Sequence, residues 1–472
     1  MTVDALEGAR LVLVVGLGVS GRAASDRLLR EGKKVRINDV STGDEVREAA
    51  RQYAARGAEV VLGHHRPEVL EGVDLVVVSP GVRGRSTLLL EAEARGIPVW
   101  SEIELACRFA RGPLIAVTGT NGKTTTVSMI ERILDHAGMA AMAAGNIGHP
   151  LIAAVEEAGP GDPLVVEVSS FQLYYTRTFR PTVSVLLNIA EDHFDWHADL
   201  AEYTAAKSRI WMNQGPEDSL VCNRDDPLCL RAVQGAAAEI LYFSKEDMGE
   251  AGVFLRRGTL YWRAPRRGAE GGEALPFMRA EELPLPGAHN LENAMAAVAA
   301  AAALGVSPRA AGEALRLFTG LPHRLQMVGE IGGVRFYDDS KATNPHAATR
   351  ALGAFRQPLL LILGGRNKGL PFDQLARLLE ERSRAGGLRM VYAIGEAAQE
   401  IAETLRGVGP SLPLRQAERL EDVFSDLPRR AKPGDVVLFS PACASFDRYR
   451  DYRERGRHFQ ELVEEYRRSL HG

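Results

Sequence analysis

The chain has 472 residues, of which 45% are hydrophobic and 25% charged, with a formal net charge of −4. That length exceeds what one hydrophobic core organises and points to about three domains of ordinary size. The balance excludes a disordered or fibrous chain, and the mild negative charge excludes a general basic field for nucleic acid, so phosphate binding has to come from local sites.

The amino-terminal stretch has no charged-then-apolar leader pattern and no apolar run approaches bilayer length, so a cytoplasmic protein without a membrane partner is expected. Cys107, Cys222, Cys229 and Cys443 are scattered, with no C-x-x-C pair and no zinc-type spacing to histidine. They read as reduced, mostly packed thiols.

The first element is the apolar run Leu11–Val15, followed by G-L-G-V-S-G with glycines at 16, 18 and 21, and then an amphipathic helix. A second strand over residues 35–38 ends on Asp39, which completes a dinucleotide-type fingerprint. Such a loop offers backbone approach to any nucleotide diphosphate and nothing that recognises nicotinamide. A buried strand over residues 74–79 is turned sharply by Pro80 and Gly81. Ser79, Pro80 and Gly81 are therefore expected to line the same nucleotide site, with a plain turn as the alternative.

A short helix over residues 101–111 leads to the strand L-I-A-V at residues 114–117, which runs into T-G-T-N-G-K-T-T-T and a helical period. Strand, glycine-bracketed loop and helix make a phosphate cradle. Gly119 and Gly122 let N–H groups turn inward, Lys123 supplies a cation, and the Thr124 hydroxyl can hold a magnesium ion. The spacing is shorter than in the common G-x-x-x-x-G-K-[ST] loop, because Val117 stands where the first glycine would be. An ordinary βα turn with a surface lysine is the competing reading.

Asn146 follows in the turn-rich A-A-G-N-I-G-H-P. Glu167 then interrupts an apolar strand, a costly position unless it meets a cation. It is either a magnesium partner of Thr124 or half of a structural salt bridge. The strand over residues 183–189 ends in A-E-D-H-F-D, placing Glu191, Asp192, His193 and Asp195 at a carboxyl edge, where a parallel sheet keeps its chemistry. Lys207 lies on a helix and, from spacing alone, is a surface lysine. Residues 220–286 read as less regular, with short strands and a Gly/Arg-rich loop over residues 263–272. An alanine-rich helix follows, with His289, Asn290 and Asn293 in its first turn, where amides either cap the helix or read a base.

After a second linker at residues 320–324, strands at 334–338, 359–363, 390–394 and 436–440 each run into a small-residue turn and a helix. This is a further doubly wound α/β unit whose loops should gather on one edge. The fold expected is α/β in three domains: Rossmann-like at residues 1–102, a central P-loop ATPase-like α/β domain at 103–321, and a Rossmann-like carboxyl-terminal domain at 322–472.

The motifs G-T-N-G-K-T-T, E-V-S-S-F-Q, N-I-A-E-D-H-F-D, H-N-L-E-N, G-L-P-H-R, D-D-S-K-A-T-N-P and S-P-A-C-A-S-F-D together resemble the Mur ligase family, over residues 16–456. Within it the last two motifs are most similar to the member that adds D-glutamate to UDP-N-acetylmuramoyl-L-alanine through an acyl phosphate, in peptidoglycan precursor synthesis. The resemblance implies a UDP-substrate site at Val19, Ser20, Asp39, Ser79, Pro80, Gly81 and Asn146. It implies ATP on Gly119, Thr120, Asn121, Gly122, Lys123, Thr124 and Thr125, with Asn290, Asn293, Arg324 and Asp339. One magnesium would lie at Thr124 and Glu167, and a second at His193 and a carbamate on Lys207, which makes Lys123, His193 and Lys207 the catalytic set. D-glutamate would meet Thr343, Lys368, Ser445, Phe446 and Tyr452. The implied enzyme is a monomer with small-molecule substrates only.

Overall fold

The computed structural model describes residues 5–82, 86–194, 196–265 and 272–469. Asp195 and most of the Gly/Arg-rich loop lie outside the described residues. The chain divides into two compact units, residues 1–282 with 292–317, and residues 283–291 with 318–472.

The first unit holds two sheets. One has β1 (Leu11–Val15), β2 (Lys34–Asp39), β3 (Glu59–Leu62), β4 (Leu75–Val78) and β5 (Val99–Ser101) in the order 3-2-1-4-5, all parallel. Successive side chains of a strand point to opposite faces. Val12, Val14, Leu75 and Val77 accordingly join one core cluster, and Leu13, Val15, Val76 and Val78 another. Helices cover both faces, so the central strands β1 and β4 are apolar throughout rather than alternating.

The second sheet is built from β6 (Leu114–Thr118), β7 (Met142–Gly145), β8 (Leu164–Glu167), β9 (Val183–Leu186), β10 (Ser219–Asn223), β11 (Glu239–Ser244), β12 (Gly252–Arg256), β13 (Thr259–Arg263) and β14 (Ala274–Arg279). Its order is 14-13-12-11-10-9-6-8-7, which places β6, the strand entering the phosphate loop, between β8 and β9. The stretch read as less regular supplies five of these strands, and the short strands expected at residues 240–243, 253–255 and 259–262 are β11, β12 and β13. β10 to β12 extend the parallel sheet, and β12 to β14 close it as an antiparallel meander. The turn between β12 and β13 has positive φ at both Arg257 (+50°) and Gly258 (+76°), the twist a two-residue hairpin prefers.

The helix Glu102–Ala106 fastens the two sheets together. Its Ile103, Leu105 and Ala106 share one hydrophobic cluster with Val12 and Leu75 of the first sheet and Ala116 and Val166 of the second. On the same helix the buried Glu104 carboxylate accepts the backbone N–H groups of Arg177, Thr178 and Phe179 and pairs with Arg108 at 2.9 Å. A buried charge is tolerable when its lone pairs are met in this way.

The second unit contains β15 (Gln326–Ile331), β16 (Val334–Asp338), β17 (Leu359–Gly364), β18 (Leu388–Ile394), β19 (Leu414–Gln416) and β20 (Val436–Ala442) in the order 15-16-20-17-18-19, with β15 antiparallel at the edge. One face packs the helices Pro345–Leu352, Asp373–Arg384 and Ala398–Val408, and the other packs Leu420–Arg430 and Tyr452–Ser469. Sheets with helices on both faces are the α/β class expected. All four cysteines are free, three of them buried. Among the described residues no helix is long and apolar enough to cross a membrane.

Candidate active site

The phosphate loop leaves β6 at Thr118 and enters the helix Lys123–His136. Gly119 (φ +156°) and Gly122 (φ +89°) occupy backbone regions that L side chains rarely adopt. At Gly122 there is also no room, since a Cβ would come within 2.3 Å of Asn293 Oδ1. Asn293 is therefore packed against the loop. Lys123 Nζ rests on the carbonyls of Gly119 (2.9 Å) and Thr120 (3.0 Å).

Two residues that the sequence reading did not single out hold this loop from the neighbouring strand and helix. Asn188, just past β9, accepts the Asn121 N–H at 2.9 Å and donates to the Asn121 carbonyl at 3.0 Å. Tyr203 brings its hydroxyl to 3.2 Å from Thr120 Oγ1. Both carried a readable signal: Asn188 closes a buried strand at the sheet's carboxyl edge, and Tyr203 stands four residues before Lys207 on one helix face.

Thr124 Oγ1 donates to Glu167 Oε2 at 2.6 Å, so the carboxylate that interrupts β8 meets the threonine after the loop lysine. Among the described residues, no group of three or more His, Cys, Asp or Glu side chains is placed to hold a metal ion. The Thr124 and Glu167 oxygens fit magnesium, which binds few protein ligands and completes its shell with water and phosphate.

Lys207 corrects its reading as a surface residue. It is 1% exposed, on the helix Leu200–Ser208, with Nζ donating to the Gly119 carbonyl at 2.9 Å and lying 4.5 Å from the centre of the Tyr203 ring. Burial, reinforced by the Lys123 ammonium, holds its amine well below the usual lysine range. His193 takes φ +57°, with its N–H on Asp192 Oδ1 at 2.9 Å and its ring edge-on to Phe171 at 4.7 Å.

A cleft of about 650 Å³ opens at the carboxyl edge of the first sheet. Val19, Ser20, Asp39, Ser79, Pro80, Gly81 and Asn146, all seven residues of the expected UDP-substrate site, line it together with His65. Gly21 is the close-packing glycine, since a Cβ there would fall 1.8 Å from the Gly16 carbonyl oxygen. Gly18 faces open space. Asp39 grips the loop itself, accepting the Leu17 N–H at 2.6 Å and the Ser41 N–H at 2.7 Å.

In the second unit Asp339 accepts from Ser440 Oγ (2.7 Å) and from the Leu325 N–H (3.2 Å). Burial pushes its carboxyl up to about 7, against those two hydrogen bonds. Arg324 closes the linker, directly before Leu325. Asn290 donates to the Pro286 carbonyl at 2.7 Å, bracing the start of the helix Ala288–Ala303. Thr343 follows β16, Lys368 follows β17, and Ser445 and Phe446 follow β20, so these loops gather at one edge of the parallel sheet. Ser445 is buried, while Lys368 and Phe446 are exposed. Tyr452 carries the Lys341 ammonium 3.8 Å from its ring centre.

Three family models match along the chain: the MurD-like N-terminal domain over residues 10–101, the Mur ligase middle domain over 117–301, and the Mur ligase glutamate ligase domain over 323–443. A UDP-N-acetylmuramoylalanine–D-glutamate ligase of Pelotomaculum thermopropionicum is 44% identical over 452 residues, covering 96% of this chain and 97% of its own length. The chain belongs to the Mur ligase family. An Acidobacterium capsulatum protein of the same name is 42% identical over 452 residues, covering 96% of this chain and 95% of its own. The MurF ligase of Thermotoga maritima, solved with ADP, shares the fold at TM-score 0.59 and 18% identity, covering 93% of this chain and 96% of that one. The UDP-N-acetylmuramate–alanine ligase MurC of the same organism does so at TM-score 0.55 and 20% identity, covering 98% and 100%. Mur ligases form amide bonds at the expense of ATP, and this Mur ligase is an enzyme of that class.

Proposed function

We propose that this Mur ligase joins D-glutamate to the alanine carboxylate of UDP-N-acetylmuramoyl-L-alanine, a cytoplasmic step of peptidoglycan precursor synthesis, and works as a monomer. The relatives at 44% and 42% identity bear that reaction in their names. One observation carries the reading on the structural side. The loop 119–125, Glu167 and the buried Lys207 meet at the carboxyl edge of one sheet, in the same compact unit as the cleft beside Gly16 and Asn146.

A carboxylate is a poor electrophile until one oxygen becomes a leaving group. Transfer of the γ-phosphoryl group of ATP to the alanine carboxylate gives an acyl phosphate and ADP. The amine of D-glutamate then attacks the carbonyl carbon, loses a proton, and phosphate departs as the amide forms. Lys123, whose ammonium rests on two loop carbonyls, would exchange them for phosphoryl oxygens and stabilise the charge in transit. Magnesium held by Thr124 and Glu167 would neutralise the phosphates. Burial lowers the Lys207 amine from the usual lysine range, which favours addition of carbon dioxide, and the resulting carbamate would give a second magnesium, near His193, the oxygen ligands an ammonium lacks.

The seven cleft residues are assigned to the UDP-substrate, and Gly119 to Thr125 with Asn290, Asn293, Arg324 and Asp339 to ATP. Thr343, Lys368, Ser445, Phe446 and Tyr452 are assigned to D-glutamate, whose two carboxylates call for a cation and hydroxyl donors. Domain limits at residues 102 and 321 go with this division of labour. The test is phosphate release from ATP with UDP-N-acetylmuramoyl-L-alanine and, in turn, D-glutamate, L-glutamate, L-alanine and a diamino acid. Release that depends on D-glutamate alone is expected, and release with another amino acid instead would overturn the assignment.

A further inference from the structure

Among the described residues Arg455 heads the fully buried side chains by volume, at 2% exposure. Its hydrogen-bond partners are all uncharged oxygens. Nη2 donates to the carbonyls of Ser340 (2.8 Å) and Cys443 (3.0 Å), Nε to the Ser340 hydroxyl (3.1 Å), and Nη1 reaches the Gly364 carbonyl at 3.5 Å. The Ser340 hydroxyl passes the connection on, donating to the Tyr452 carbonyl at 2.8 Å. Gly365, at φ +129°, leaves space for both the Ala444 carbonyl and the guanidinium, because a Cβ there would come within 2.2 Å of the first and 2.9 Å of Nη1.

These contacts fall at particular places in the chain. Ser340 stands just past β16, Gly364 ends β17, and Cys443 follows β20. Those three strand ends feed the loops that carry Thr343, Lys368, and Ser445 with Phe446, and the branch through Ser340 reaches Tyr452 itself. One guanidinium thus ties down the origin of every segment assigned to D-glutamate. We propose that Arg455 is the positioning residue of the amino-acid site, acting through the backbone of the three loops rather than by touching the substrate.

The chemistry suits arginine and no other side chain. A rigid planar fork with five donors can satisfy several carbonyls in fixed directions, which a lysine point charge cannot. Burial pulls the Arg455 pKa down to about 10, still above any working pH, so the fork stays charged and fully donating.

The inference rests on the D-glutamate reading above, and the experiment separates the two. Steady-state kinetics are measured for the wild type, Arg455→Lys and Ser340→Ala, with each of the three substrates varied in turn. Arg455→Lys is expected to raise KM for D-glutamate at least tenfold, while KM for ATP and for the UDP-substrate stays within twofold. Ser340→Ala, which removes one hydroxyl and leaves the other contacts of Arg455 in place, is expected to raise the same KM about threefold. In Arg455→Ala, added methylguanidinium should lower the D-glutamate KM again. A uniform loss of kcat with all three KM values unchanged would overturn the proposal, as would a variant that leaves D-glutamate KM at the wild-type value. Should Arg455 variants not fold, an unchanged KM in Ser340→Ala would overturn it alone. A wild type that shows no D-glutamate dependence would instead fail the reading on which the proposal rests.

Discussion

Replacing Gly21 by alanine should cripple the diphosphate cleft without a single new group entering it. The added Cβ would sit 1.8 Å from the Gly16 carbonyl oxygen and 2.8 Å from Ser79 Oγ, where real contacts stay above 3.0 Å. Relief therefore requires the helix Val19–Arg30 to move from the end of β1 by more than an ångström. Overpacking of this kind costs about 1–3 kcal/mol, and a displacement of about 1 Å in a positioning element can cost on the order of a hundredfold in rate. Because Val19 and Ser20 ride on that helix, the loss should appear as a raised KM for the UDP-substrate, with KM for ATP little changed. Gly18→Ala is the matched control. Its Cβ meets nothing within 4 Å, so thermal stability should hold while KM for the UDP-substrate rises through direct obstruction. Paired thermal melts and kinetics decide the matter. If Gly21→Ala keeps both its melting midpoint and its UDP-substrate KM, the close-packing account of this glycine is wrong.

Lys207→Ala should fall to near-zero turnover, and short carboxylic acids should restore part of the rate; failure of any acid to do so counts against the carbamate. Lys123→Ala should make no ADP yet still bind the UDP-substrate in calorimetry, and retained turnover would reject the phosphate-loop role. Burial raises the Glu102 carboxyl to about 7, against one hydrogen bond from the Ile152 N–H. The folded state holds that proton more tightly than the unfolded chain, so the stabilisation is present below about pH 4.5 and is lost as pH rises through 7. Glu102→Gln should therefore gain on the wild type by roughly 3 kcal/mol between pH 5 and pH 8 in denaturant melts, and a pH-independent difference would refute it.

Much of this was legible in the chain because local pattern and tertiary role coincide. The run Leu11–Val15 into three glycines, and residues 114–117 into G-K-T, are strand, turn and helix at short range, and the structure forms them so. The Thr124–Glu167 contact was readable because a carboxylate inside an apolar strand has to find a partner. Lys207 was not readable, since nothing in Y-T-A-A-K-S-R-I-W reveals that its helix packs beneath a loop nearly ninety residues earlier. The strands β3, β5 and β19, of three or four residues, carry too little alternation to stand out. In the extension of the second sheet the short strands at residues 240–243, 253–255 and 259–262 were legible and form β11 to β13, whereas β14 was obscured by exposed positions such as Leu275. Arg455 looks like one more cation on an amphipathic helix until the carbonyls around it are seen.

The helix Glu102–Ala106 has a consequence for how this protein comes apart. Because Ile103 and Leu105 belong to the same cluster as both neighbouring sheets, and Glu104 holds three consecutive amides from residues 177–179, severing the chain beside this helix would strip apolar surface from two layers at once. The amides of Arg177, Thr178 and Phe179 should accordingly exchange with solvent deuterium only when residues 5–82 and the β6–β9 layer unravel together. A protease able to nick the chain near residue 102 would have to wait for that same rare opening.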